Sequence, residues 1–161
     1  WINSLENSRS IRCLELYIGD EKIIGCETFW AVINTKTRRP EALALPHDHF
    51  QKFEIDASLT STKKIDISTN VTTLVNRKVV LSDLDVVNHV NNVKYMEWCL
   101  DFEDPTRLLN QEIATLDINF IKELNWNDVA VIQKEINTNT SIYSISKENK
   151  NAYALEINWY K

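Results

Sequence analysis

Glycine is almost missing from this chain. Gly19 and Gly25 are the two among 161 residues, too few for a glycine-rich phosphate loop or a dinucleotide-binding fingerprint. Cysteine is scarce as well. Cys13, Cys26 and Cys99 are odd in number and lack metal-ligand spacing, so reduced, buried thiols are expected. No apolar run approaches the length that spans a bilayer, and no charged-then-apolar leader opens the chain. These absences predict a cytoplasmic protein with no membrane partner. Basic charge is also short. Lys and Arg total 18 against 23 Asp and Glu, a net charge of -5. Phosphate neutralisation needs a basic face, so nucleic acid is not an expected partner.

The chain that remains is rich in strand signals. Two β-branched, apolar runs between Ile11 and Ile33 flank Gly19-Asp20-Glu21 and predict a long hairpin. From Ile23 both alternating faces carry apolar groups, which predicts cover on both sides for part of that strand. Thr35 to Lys64 contains Pro40 and Pro46 and many charges, and reads as a surface connector. Its His47 and His49 flank an Asp, but two ligands without a third predict a solvated loop rather than a metal site. Ile65 to Val80 is strand-like. Four further strands are expected at Ala114–Phe120, Val129–Ile136, Ser141–Ser146 and Tyr153–Trp159, the last two joined by a turn at 147–151. Period-2 alternation makes them antiparallel with one face on a core.

The two ends of the chain resemble each other. Ser10-Ile11 leads a hairpin that closes on Glu27-x-x-Trp30, and Ser141-Ile142 leads one that closes on Glu156-x-x-Trp159. A duplicated unit is expected. Its first copy is represented by closing strands and a linker over 1–49, with the front of that copy missing. Its second copy is complete over 50–161.

Between the strands lies Leu81–Asp104, where acids, Asn and His crowd into a few residues and then run into a helix. From Asn92 to Glu103, Lys94, Glu97 and Asp101 make one narrow polar stripe, and the rest is apolar. Such a helix must be wrapped. A curved antiparallel sheet is the available wrapper, so the expected fold is α+β: a long central helix in a sheet, the hotdog arrangement. Tyr95, Met96, Trp98 and Cys99 are expected to be packing. Asn91 or Asn92 is a natural N-cap, and the first helical N–H groups could stabilise an oxyanion. His89 and Asp85 stand just upstream, placed for acid–base work. This hydrolytic geometry needs no metal and no cofactor.

Asp83-Leu84-Asp85-Val86-Val87-Asn88-His89-Val90-Asn91-Asn92-Val93-Lys94-Tyr95-Met96-Glu97-Trp98 resembles the signature of the acyl-acyl carrier protein thioesterases, the bacterial and plant family that releases fatty acids. Trp30 through Thr37-Arg38-Arg39-Pro40 resembles the stretch that closes that family's first hotdog repeat. Asn119-Phe120-Ile121-Lys122-Glu123 resembles its second acidic site. The resemblance implies a tandem hotdog and catalytic roles for Asp85, His89 and Glu123, with Asn88, Asn91 and Asn92 supporting substrate or oxyanion. Either carboxylate could serve as base or orient the water. Two positions depart from the pattern. Val87 stands where the family has Asn, with Asn88 beside it, and Leu124 replaces a Cys of plant members, which argues against a thiolate nucleophile.

The resemblance further implies a fatty-acid-releasing hydrolase whose partner is acyl carrier protein with its acyl-phosphopantetheine arm. That carrier is acidic, so docking needs a local basic patch; Lys36, Arg38, Arg39, Lys63, Lys64, Arg77, Lys78 and Lys94 are candidates. The alternatives are an acyl-coenzyme A thioesterase and a non-catalytic acyl-binding or assembly module. Exposed sheet edges predict a possible homodimer.

Overall fold

The computed structural model describes residues 1–37, 39–43, 47–137 and 139–160. Arg38 of the expected basic patch, Pro46 of the connector and the terminal Lys161 lie outside the described residues. The chain divides into two compact units, Trp1–Lys63 and Lys64–Lys161.

The first unit is a 3-stranded antiparallel sheet in the order β1-β2-β3. Its strands are β1 (Ile2–Glu6), β2 (Arg9–Ile18) and β3 (Glu21–Ala31). The expected hairpin is β2–β3, with Ile18 paired to Glu21 and Gly19 at φ +61° in the turn. Only glycine takes that conformation without strain. The connector is not a free surface loop: Phe53 donates to the Ile2 carbonyl at 2.9 Å, and the Trp1 indole N–H donates to the Ile55 carbonyl at 2.9 Å. Gly25 is a packing requirement here, since a Cβ on it would sit 1.8 Å from the Ala57 carbonyl oxygen. The expected double cover of β3 is not observed. Ile23, Ile24, Phe29 and Trp30 are all about half exposed. The described residues of this unit contain no helix to lay on either face.

The second unit builds a 5-stranded antiparallel sheet. Along the chain come β4 (Thr72–Lys78), α1 (Asn92–Leu100), α2 (Pro105–Asn110), β5 (Ile113–Phe120), β6 (Val129–Ile136), β7 (Thr140–Lys147) and β8 (Lys150–Trp159). In space the strand order is β4-β6-β7-β8-β5. β7 and β8 meet in a tight turn with Glu148 at φ +51° and Asn149 at φ +60°, the left-handed pair that matches strand twist. One face of this sheet carries the core. Tyr143, Ile145, Tyr153, Leu155 and Ile157 are fully buried against Tyr95, Trp98 and Cys99 of α1.

α1 is shorter and less enclosed than its sequence predicts. It stops at Leu100, and the next residues tighten into a turn in which Phe102 donates to Cys99 and Glu103 to Leu100. The cause is polar. Glu103 turns inward, where it accepts from Tyr143 Oη at 2.8 Å and Lys134 Nζ at 3.0 Å. Asp104 then caps α2, with Pro105 in its first turn. Tyr95, Trp98 and Cys99 form one buried face, while Val93 is 52% exposed. An apolar composition therefore overstated the wrapping of this helix within the chain.

Candidate active site

The loop before α1 is held from beneath by a buried acid. Asp83 accepts from Arg77 Nη2 at 2.9 Å and from the Val80 amide at 2.9 Å, and its carbonyl accepts from the Asn91 amide at 2.9 Å. The end of β4, the loop and the helix start thus share one anchor. Arg77 also lies over the Trp98 ring, 4.7 Å from its centroid, a cation–π contact that fixes the guanidinium.

Above that anchor, Leu84 and Val90 pair across a tight loop. Asp85 closes it. Its amide donates to the His89 carbonyl at 2.8 Å, and its Oδ1 accepts from the amides of Val87 at 2.9 Å and His89 at 3.1 Å. Asn88 sits at φ +64°, a left-handed conformation that Asn tolerates and most side chains do not. Val86 and Val87 point outward, with Val87 61% exposed. The loop's net effect is to present the His89 ring.

Glu123 meets that ring from another part of the chain. It follows β5, and the backbone beyond it pairs with the loop: Val90 donates to the Leu124 carbonyl at 2.9 Å, and His89 bridges to Asn125. The result is a separation of 3.6 Å between His89 Nδ1 and Glu123 Oε1. Both side chains are part-exposed, at 30% and 46%, so a substrate can reach them. Downstream, Asp128 braces the segment by accepting from the Asn125 amide at 2.9 Å and from Lys147 at 2.7 Å. Burial pushes the Asp128 carboxyl up, but Lys147 and the Asn125 amide outweigh it and hold it below the usual carboxylate value.

The helix start is more committed than the sequence predicts. Asn91 is the N-cap, and its Oδ1 accepts from the Val93 amide at 3.0 Å while its carbonyl accepts from the Lys94 amide at 2.9 Å. Two first-turn donors are therefore occupied. Asn92 contributes the first-turn N–H that no described group takes. That donor and the positive end of the helix dipole are groups of the kind that stabilise an oxyanion.

The structure thus brings His89, Glu123, Asn88, Asn91 and Asn92 together around one loop and helix start, with Asp85 inside the loop. Leu124 is fully buried in the core. Of the expected docking cations, Arg77 is bound to Asp83 and Lys94 to Glu97 at 2.7 Å. One polar group escaped the sequence reasoning. Tyr95 packs in the core as its sequence pattern predicts, and its hydroxyl also accepts from the Leu124 amide at 2.9 Å. A tyrosine on a buried helix face needs a partner for its hydroxyl, and that was the available signal.

Residues 65–161 match the family model of the acyl-ACP thioesterase C-terminal domain. Over 116 residues the chain is 29% identical to the chloroplastic acyl-[acyl-carrier-protein] hydrolase FATB1 of Cuphea viscosissima, covering 68% of this chain and 28% of that protein. It is 30% identical over 110 residues to the chloroplastic palmitoyl-acyl carrier protein thioesterase of Cuphea hookeriana, covering 64% of this chain and 26% of that protein. Among solved structures it is similar to an acyl-ACP thioesterase from Bacteroides thetaiotaomicron, with a TM-score of 0.88 at 18% identity over 99% of this chain and 66% of that one. The 12:0-ACP thioesterase from Umbellularia californica gives a TM-score of 0.79 at 18% identity, over 99% of this chain and 65% of that one. The fold is thus the hotdog type of these structures, as expected. The chain spans about a quarter of the length of the curated relatives it matches, 28% and 26%.

Proposed function

Since the chain belongs to the acyl-ACP thioesterase family, by its C-terminal domain, we propose that the protein hydrolyses the thioester of acyl-acyl carrier protein to a free fatty acid and the carrier thiol. The observation that carries this reading is the approach of Glu123 to His89 at 3.6 Å beside the start of α1. A carboxylate facing Nδ1 orients the imidazole and leaves Nε2 as its basic nitrogen. Nε2 takes a proton from water as the water oxygen attacks the thioester carbon. The negative charge that develops on the carbonyl oxygen falls to the Asn92 N–H. The C–S bond then breaks, and the imidazolium returns its proton to the leaving thiolate. Water, thioester, acid and thiol balance without a cofactor. Asp85 acts through the backbone, holding His89 at the loop tip, while Asn88 supplies the left-handed turn and Asn91 the helix cap.

On this reading residues 1–49 are the closing strands of a first hotdog repeat with its linker, and 50–161 belong to the second repeat, whose sheet and helices lie in the unit Lys64–Lys161 while 50–63 run along the first unit. A cytoplasmic location suits a carrier-borne substrate, and a second copy of the chain is the partner expected for open sheet edges. The docking face for the carrier uses basic residues that have no internal pair among the described residues, such as Lys78 and Lys64.

The test follows free thiol release from acyl-carrier-protein and acyl-coenzyme A thioesters of several chain lengths. Release from carrier-bound acyl groups is the expected result. Release from the coenzyme A thioesters alone would assign a different docking surface. No release from any would leave a non-catalytic acyl-binding module.

A further inference from the structure

We infer that Tyr95 is a positioning residue, whose hydroxyl fixes Glu123 against His89 through the Leu124 peptide; this rests on the hydrolase reading above. Both backbone polar groups of Leu124 are held. Its N–H donates to Tyr95 Oη at 2.9 Å, and its carbonyl accepts from the Val90 amide at 2.9 Å. Each bond reaches one step from a reacting group: Glu123 precedes Leu124, and His89 precedes Val90. Leu124 itself is fully buried, so its amide has no water to replace a lost acceptor, and an unpaired buried N–H is costly.

Tyr95 is suited to be an anchor. It is 2% exposed. Its ring stacks on Tyr153 at 5.2 Å between centroids and meets Phe120 edge-on at 6.0 Å, so the hydroxyl has little freedom. Burial pushes its pKa up; the Leu124 amide opposes this and the nearby Glu123 charge adds to it. The hydroxyl therefore stays neutral. It belongs to α1, whose N-terminus offers the Asn92 N–H, so one side chain sets the carboxylate relative to the oxyanion donor. Phe120 brings the end of β5 onto the same ring, just before the segment that ends in Glu123.

Tyr95→Phe keeps the ring and removes the acceptor. A misplacement of about 1 Å can cost up to about a hundredfold in rate, so kcat on the best acyl-carrier-protein substrate should fall about tenfold or more, with KM within about twofold. Exchange of the Leu124 amide with solvent, followed by NMR, should accelerate. Tyr153→Phe is the matched control. That ring stacks on Tyr95, and its hydroxyl has no hydrogen-bond partner among the described residues, so neither kcat nor Leu124 exchange should move. A Tyr95→Phe protein with wild-type kcat overturns the positioning role and leaves the hydrolase reading standing. So does a Leu124 amide that exchanges at loop rates in the wild type, a result that needs no variant to fold. A wild type that releases no thiol overturns both, and is seen before any variant is made.

Discussion

Glu123 faces Nδ1 of His89 at 3.6 Å, whereas Asp85 commits Oδ1 to the Val87 and His89 amides. The two acids of the site therefore differ in kind: one addresses the ring, the other the loop. On the proposed mechanism, replacing His89 with Ala removes the proton carrier, and general acid–base groups contribute about 10²–10⁴-fold. His89→Ala should lose thioesterase turnover on that scale with an unchanged melting temperature, read by thiol release beside thermal unfolding. Part of this was legible in the sequence, because Asp85, His89 and the Asn cap lie within one continuous motif. The approach of Glu123 was legible only through resemblance. It depends on backbone pairing of His89 with Asn125 and Val90 with Leu124, contacts between distant segments that no local pattern encodes. The Tyr95 hydroxyl was hidden by its ring, which has every mark of a core residue.

At the scale of elements, the strands were the most readable feature. Their alternation marks one buried face, and β5 to β8 fall where it places them. α1 was over-read because its composition carries no stop signal before Asp104-Pro105. What ends it is tertiary: Glu103 drawn into a buried cluster with Lys134 and Tyr143. Burial on its own would push the Glu103 carboxyl up. The Tyr143 hydroxyl, the Lys134 ammonium and the Asp104 amide outweigh it and hold the group below its ordinary 4.5. A depressed carboxylate stabilises the fold above its unfolded value, and that contribution is lost as pH falls through the folded value. The melting temperature should therefore drop on acidification below about pH 4.5, and Glu103→Gln should flatten that drop. The same variant should cost about 3–5 kcal/mol at neutral pH in denaturant unfolding, because it leaves Lys134 buried without its counter-charge. The β7–β8 turn offers the opposite change. Glu148 holds φ +51°, where Asn is better tolerated. Glu148→Asn should raise stability by up to about 1 kcal/mol in the same unfolding measurement.

The molecule as a whole separates at Lys63–Lys64, and its units differ in how much they bury. The second unit encloses a continuous aromatic and aliphatic core and carries every residue of the proposed site. The first is a sheet with Ile24, Phe29 and Trp30 open. The Glu-x-x-Trp endings of the two hairpins suggest a duplication, but burial was not legible, since apolar strands look alike whether covered or bare. No helix among the described residues is long and apolar enough to cross a membrane. On the proposed mechanism Glu123, held beside His89, orients the imidazole for hydrolysis of a carrier-bound acyl thioester. The most direct test of this role is the rate of thiol release from acyl-carrier-protein by the wild type and by Glu123→Ala, matched in melting temperature. Release by the wild type and a loss of about a hundredfold or more in the variant are expected; equal rates in the two proteins would rule out the proposed role of Glu123.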